Sequence, residues 1–348
     1  MNNNRRGGTM SRRGFLKALG LGGAGLLVPG AGAANAANAA GSNGSAGSVE
    51  LATLHDLNKC VGCGACVEAC HEANGHKYPE PEKPFPKMYP SRVKVADWSE
   101  KRDVDDRLTP YNWLYIQSVE VEHEGESFEV HMPRRCMHCQ NPPCANLCPW
   151  GAAARQKNGI VRINDEVCLG GAKCTAVCPW RIPQRQTGVG LYLDLLPGLA
   201  GNGVMYKCDR CFERVAQGEK PACITECPYD VQTIGPRDEI VARAHELAER
   251  TGGYIYGETE NGGTNTIYVS PVPFEAIEAA LAAKGELANN QGKPDLKPYG
   301  DPFEDEQTLA AAALIAPVAG IAAGLITVGR GLFGAEGGSR KGREDGHD

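Results

Sequence analysis

CMHCQNPPCANLCP at residues 136–149 and CLGGAKCTAVCP at 168–179 form a double motif around which the rest of the sequence is arranged. Cys136, Cys139 and Cys144 lie close enough along the chain for one loop to wrap a single iron-sulfur cluster. Cys148, directly before Pro149, is the fourth thiolate and belongs to a neighbouring cluster, and the proline turns the chain away from the sulfur. The second half repeats the pattern with Cys168, Cys174, Cys178 and Pro179, but Gly171 stands where its second cysteine should be. One cluster of the pair is therefore short of a ligand.

Zinc is the bland alternative, because paired C-x-x-C knuckles also make four-cysteine sites. Such sites do not require a third cysteine in the same run and a fourth before proline, and here that arrangement recurs. Disulfides fit less well, since cysteines two residues apart are poorly placed to bridge each other and the total of 15 is odd.

The 348 residues allow one large or two small domains with appendages, and with 23 Pro, 44 Gly and 6% aromatics the apolar core need not be large. A net charge of -6 and the lack of a basic patch with interleaved aromatics argue against nucleic acid.

At the N-terminus, Ser11-Arg12-Arg13-Gly14-Phe15-Leu16-Lys17, a mild Gly/Ala/Leu run to Val28 and the small-residue stretch Ala37-Asn38-Ala39 read as a twin-arginine export signal over 1–40. Clusters assembled in the cytoplasm must cross the membrane inside a folded protein, which suits this route. A linker follows over 41–54, Gly/Ser/Asn-rich in its first part.

The first cysteine run is Cys60, Cys63, Cys66 and Cys70, a full ferredoxin-like set in which Gly62 and Gly64 permit close backbone approach to the sulfides. A Pro-rich loop (Pro79, Pro81, Pro84, Pro86, Pro90) and a hairpin follow: Leu114 to Glu122 alternates, His123 to Ser127 turns, and Phe128 to Met132 returns. His71 and His138 read as packing or hydrogen-bonding residues rather than ligands, and no C-x-x-C precedes a His, so covalent haem is not indicated. The last run is Cys208, Cys211, Cys223 and Cys227, with a longer internal loop.

The short interval between Cys148 and Cys168 pairs runs two and three, which leaves runs one and four for each other. Cys60, Cys63, Cys66 and Cys227 then hold one 4Fe-4S cluster (set I), and Cys70, Cys208, Cys211 and Cys223 a second (set II). Cys136, Cys139, Cys144 and Cys178 hold a third (set III). Cys148, Cys168 and Cys174 alone make the fourth site a 3Fe-4S one (set IV), and every cysteine is used.

Four such runs in this order resemble the iron-sulfur electron-transfer subunits of the DMSO reductase, formate dehydrogenase and nitrate reductase group, over residues 55–235. The resemblance implies the same nested pairing, and the nitrate reductase relatives also lack the second cysteine of run three and carry a 3Fe-4S cluster there. It further implies that set IV lies nearest a membrane subunit, that sets I and II face a catalytic partner, and that reaction chemistry belongs to that partner rather than to this chain. The apolar insertion between Val189 and Met205 is either a membrane-grazing segment or a buried structural loop.

From 236 to 300 the sequence reads as a cap on the cluster core, with helical patterning at Asp238–Arg250 and Phe274–Leu287 and a strand near Thr264–Val269. After a linker at 301–308, Leu309 to Val328 carries no charge and would span about 30 Å as a helix, enough for a bilayer core. Glu304, Asp305 and Glu306 precede it, while Arg330, Arg340, Lys341 and Arg343 follow in a tail at 329–348. That asymmetry places the tail in the cytoplasm and the clusters outside. Ala316, Gly320 and Gly324 give the span a small-residue face, and Pro317 is placed to kink it.

An export signal and a single C-terminal anchor on one cluster subunit together resemble the iron-sulfur subunits of membrane-bound periplasmic nickel-iron hydrogenases. The expected architecture is α+β: two ferredoxin-like double-cluster modules with nested cysteine pairing, a hairpin, a C-terminal cap and one C-terminal transmembrane helix. The expected role is electron transfer between a periplasmic catalytic subunit and a quinone-linked membrane subunit. The alternatives are the same role for a molybdopterin oxidoreductase (formate dehydrogenase, tetrathionate or polysulfide reductase) or for a multihaem cytochrome complex. A rival outside redox chemistry is a structural zinc or cluster-stabilised assembly protein.

Overall fold

Strand β1, Leu51–Asp56, alternates two chemistries: Ala52 and Leu54 point one way, Thr53 and His55 the other, and all four are buried. β1 lies inside a four-stranded sheet of order β8-β1-β10-β9, where β8 is Gln232–Pro236, β9 Tyr254–Tyr256 and β10 Thr266–Ser270. β10 runs parallel to β1, and the two outer strands run antiparallel to their neighbours. The apolar face of the sheet, with Ile267 and Val269 of β10, packs on Ile240, Ala244 and Leu247 of the helix Arg237–Thr251. Those three recur at the spacing of one helical face, and Gly252 ends the helix in the left-handed conformation. The opposite face of the sheet carries Thr53, His55, Thr266 and Tyr268 toward the cysteine runs.

A computed structural model of the chain describes residues 49–88, 91–198, 202–287 and 292–304. The expected export signal at 1–40, span at 309–328 and tail at 329–348 lie outside the described residues. Among the described residues no helix is long and apolar enough to cross a membrane.

The expected hairpin is β2, Tyr115–His123, against β3, Glu126–Arg134, in register Tyr115↔Arg134 through His123↔Glu126. Its turn is tighter than the sequence suggested. Glu124 and Gly125, both at positive φ, form a two-residue connection whose twist matches the strands. Val119, Val121, Val130 and Met132 face the core, and Ser118, Glu120 and Glu122 face solvent. Two short ribbons frame the central runs: β4, Ala153–Arg155, with β5, Val161–Ile163, and β6, Gln184–Gln186, with β7, Val204–Tyr206. The described residues are thus mixed α and β, arranged around the cysteine runs.

The segment read as a cap does more than cover the core, because β9 and β10 belong to the same sheet as β1. Its two helices form at Arg237–Thr251 and Phe274–Ala283. The second stops short of the expected Leu287, since Gly285 at φ 70 leaves helical space. In the insertion before run four, Leu191–Leu195 is a short helix, with Leu195 and Leu196 exposed.

Candidate metal centre

In runs one, three and four a residue in left-handed conformation caps the helix that follows, whereas run two has its left-handed residue earlier in the loop and enters its helix through extended Pro142. In run one Gly64 (φ 79) precedes α1, Ala65–Asn74. Run two places His138 at φ 49 between Cys136 and Cys139, ahead of α2, Pro143–Asn146. In run three Ala172 (φ 56) precedes α3, Lys173–Val177, and in run four Cys211 itself (φ 48) precedes Phe212–Ala216. Cys66 and Cys174 each occupy the second position of their helix. Backbone amides are aimed at the sulfurs: the Arg210 N–H, within run four, donates to Cys208 Sγ at 3.3 Å, and the Ala153 N–H, at the start of β4, to Cys148 Sγ at 3.5 Å.

The structure brings thiols of different runs together. Cys70 joins Cys208, Cys211 and Cys223 around one cavity, whose walls include Asn74, Trp113, Arg135 and Pro221. Cys178 joins Cys136, Cys139 and Cys144 around another, walled by Pro142, Pro179, Trp180, Ile182 and Lys207. Around Cys60, burial pushes the thiol up and the nearby Cys227 and Cys63 add to it, so run one does meet the end of run four. Burial likewise raises Cys168, with Cys148 alongside.

The sets also adjoin in file. Cys66 of set I is pushed up to about 12 by burial and then by Cys223 of set II. Cys208 of set II is also pushed to about 12, by burial against the pull of Arg135, with Cys136 of set III next in effect. Cys174 of set IV reaches about 12 through burial and Cys144 of set III. The order through the molecule is therefore I, II, III, IV. Cys63 at one end is exposed, whereas Cys139 in the interior is buried.

Free thiols so buried hold their protons, and only a strong electropositive partner would keep them as thiolates. The surrounding charge is arranged for such a partner. Arg135, Arg210 and Lys207 are all buried, and none pairs with a carboxylate among the described residues. Burial works against the Lys207 ammonium, and it is as thiolates that Cys136, Cys144 and Cys208 hold it above its usual range. Burial also opposes the Arg135 charge, and Cys223 and Cys208 outweigh it. Unpaired buried cations cost several kcal/mol each. Anionic iron-sulfur centres held by these cysteines would supply the missing countercharge, and the donor set and its surroundings fit such clusters.

At Gly171 a Cβ would have no atom within 4 Å, and the residue keeps ordinary backbone space. The thiol is missing while the loop that would carry it is intact.

The two histidines have structural partners. His71 Nε2 lies 2.8 Å from Asn112 Oδ1, and His138 Nδ1 accepts from the Val161 N–H at 3.0 Å. Among the described residues no group of three or more His, Cys, Asp or Glu is placed to hold a single metal ion. The sulfurs instead surround voids, as a multi-iron cage requires and a lone zinc does not.

Two sets of contributors escaped the sequence reading. Asn74 donates to the sulfurs of Cys70 and Cys211 at 3.6 and 3.7 Å. Its position one helical turn beyond Cys70 was the available signal. The buried cations Arg135 and Lys207 left a subtler one: each directly precedes the first cysteine of a run, as the exposed Lys59 also does.

Two family profiles, each described as a 4Fe-4S dicluster domain, match residues 59–152 and 128–237. A protein of Nitratidesulfovibrio vulgaris strain Hildenborough is 32% identical over 271 residues, covering 77% of this chain and 66% of its own length. The hydrogenase-2 operon protein HybA of Escherichia coli O157:H7 is 28% identical over 305 residues, covering 77% of this chain and 83% of HybA. The B subunit of the anaerobic dimethyl sulfoxide reductase of Escherichia coli K12 is 31% identical over 193 residues, covering 56% of this chain and 77% of that subunit.

Proposed function

The chain belongs to the family of 4Fe-4S dicluster iron-sulfur subunits that includes HybA and the B subunit of dimethyl sulfoxide reductase, and from that premise we propose that it is an electron wire. The single observation that carries the reading is the file of four adjoining thiol sets, with exposed Cys63 at one end. Sets I, II and III hold 4Fe-4S clusters and set IV a 3Fe-4S cluster, and when bound these centres take up and release single electrons. The chain's own work is to fix their order, exclude water from the interior pair and supply buried positive charge beside them.

The wire runs between a periplasmic catalytic subunit and a quinone-linked membrane subunit. The likeness to HybA over most of both chains favours a nickel-iron hydrogenase as the catalytic partner. The likeness to the dimethyl sulfoxide reductase subunit supports the second reading, the same wire serving a molybdopterin oxidoreductase. The sequence of 1–40 directs export by the twin-arginine route, and 309–328 anchors the clusters at the periplasmic face of the membrane.

Purification of the intact membrane complex, with identification of the co-purifying subunits and EPR of the whole assembly, tests this function. A nickel-iron enzyme and an integral membrane subunit are expected, with three 4Fe-4S signals on reduction and one 3Fe-4S signal when oxidised. A molybdenum enzyme in the complex overturns the hydrogenase assignment and leaves the wire. A preparation without iron-sulfur signals overturns the wire itself.

A further inference from the structure

Arg135 enters from the end of the hairpin, directly before run two, yet its guanidinium lies among the cysteines of runs one and four. Nη1 donates to Cys223 Sγ at 2.9 Å. Nη2 donates to Thr53 Oγ1 at 3.1 Å and lies 2.9 Å from His55 Nε2. A guanidinium only donates, so Nε2 is the acceptor and the imidazole proton sits on Nδ1. His55 is buried and stacked at 4.7 Å on Tyr268. Burial and then Arg135 hold it well below its usual range, so it stays a neutral acceptor. The fork is thereby fixed on three sides, by two residues of β1 and one cysteine.

This cation has no carboxylate among the described residues to neutralise it. Arg134, its chain neighbour, is used differently, clamping the carbonyls of Pro294 and Asp295 at 3.0 and 2.8 Å. Arg210 spends its fork on the carbonyls of Leu51 and Asn265 and the hydroxyl of Thr266. Of these three buried arginines, Arg135 alone donates from its side chain to a cysteine sulfur.

We propose that Arg135 is a positioning residue that sets the reduction potential of the set II centre, through a charge-assisted N–H···S bond to Cys223 held in place by Thr53 and His55. The assignment rests on the ligand sets of the proposed wire. Reduction adds one electron to the centre, taken from a neighbouring set, and moves no proton at Arg135. The fixed positive charge favours the more negative, reduced state, and hydrogen bonds to the sulfurs act in the same direction.

Redox titration of the full chain followed by EPR tests the proposal, with the set II signal identified as the one altered by Cys223→Ser. Arg135→Gln is expected to lower the equilibrium constant for reduction of that centre at least tenfold, about 60 mV for one electron. Sets III and IV should keep their midpoints. Arg135→Lys, which retains the charge, should recover most of the shift. Thr53→Val, which leaves the guanidinium in place but loosens it, should shift the same midpoint in the same direction by less, and it keeps the test open if Arg135→Gln does not fold. An unchanged set II midpoint in Arg135→Gln or Thr53→Val, or an equal shift of all centres, overturns the proposal with the wire intact. Absence of 4Fe-4S signals from the wild type overturns the wire and this assignment with it.

Discussion

Runs one and three are built on the same turn yet differ in what the turn presents. Both enter a helix through a left-handed residue, Gly64 or Ala172, and both put a cysteine, Cys66 or Cys174, at its second position. Run one presents Cys63 before that residue and run three presents Gly171. Run one is also preceded by Lys59, and run three by Val167. Lys59 is exposed and pairs with Asp56, and at run three the Arg185 guanidinium reaches the Gly170 carbonyl at 3.4 Å, so these flanking residues do not set the two sites apart in charge. The difference between the two sites is chemical, with the backbone held common.

Removing the iron should have the largest effect and should separate the two loops in time. Without clusters, Arg135, Arg210 and Lys207 are left buried beside thiols that keep their protons, and metal-dependent folds of this kind lose much of their stability with the metal. Chelation under anaerobic, reducing conditions is expected to abolish the near-UV circular dichroism signal. Iron should leave set IV, held by three cysteines, before set I. An apo chain that melts cooperatively at the holo temperature would show that the clusters are not structural.

A second contrast lies in the glycines. Gly170 sits at φ 59, and a Cβ there would come within 2.2 Å of the Gly203 carbonyl oxygen, while Gly64 at φ 79 has nothing within 4 Å. Gly170→Ala should cost about 3 kcal/mol or more, from strain plus a backbone clash. Gly64→Ala should cost only about 1–2 kcal/mol, for the left-handed conformation alone. Denaturant melts of the holo chain measure both, and equal costs would mean that the run-three loop is free to move away from Gly203.

Cys63→Gly transplants the gap of run three into run one. Because Cys63 is exposed and its loop is shaped by glycines, the fold should be kept. One iron per chain should be lost, and a second 3Fe-4S signal should appear in the oxidised state. Loss of the whole set I cluster instead would show that three thiolates suffice only in the run-three environment.

The cysteine runs were legible because close spacing is a local property, written as C-x-x-C in runs one, two and four and as a closing Cys-Pro in runs two, three and four. The hairpin and the two long helices were legible for the same reason, since period-2 and period-3.6 patterns are written within one segment. The parallel pairing of β1 with β10 was not, because partners such as Thr53 and Thr266 lie more than half the chain apart. Asn74 and Arg135 escaped for a related reason. Their sulfur partners Cys211 and Cys223 belong to another run, and the sequence shows only where each donor stands beside its own run, not which distant sulfur it meets. Trp150, Trp180 and Tyr229 make the same point: each follows a Cys-Pro pair by one residue, yet Trp180 is buried with its indole N–H on the Tyr256 hydroxyl, and the other two are exposed.

The smallest structural change with a decisive readout is Gly171→Cys. At Gly171 the backbone stays in ordinary space and nothing lies within 4 Å of the added Cβ, so the new side chain costs the fold little. The loop already carries the left-handed Ala172 that in run one follows Cys63 as Gly64. The new thiol should therefore reach the corner where run one places Cys63, and a fourth thiolate there retains a fourth iron. The oxidised-state 3Fe-4S signal should vanish, iron content should rise by one per chain, and a new signal should appear only on reduction. A further thiolate adds negative charge to the centre, so the potential of set IV should fall and electron delivery to quinone should slow. If the oxidised-state signal persists with the cysteine in place, something other than the missing thiolate keeps the fourth iron out. If the wild type shows no 3Fe-4S signal under anaerobic purification, the gap at Gly171 is filled by a non-cysteine ligand, and runs one and three would differ only in the donor atom.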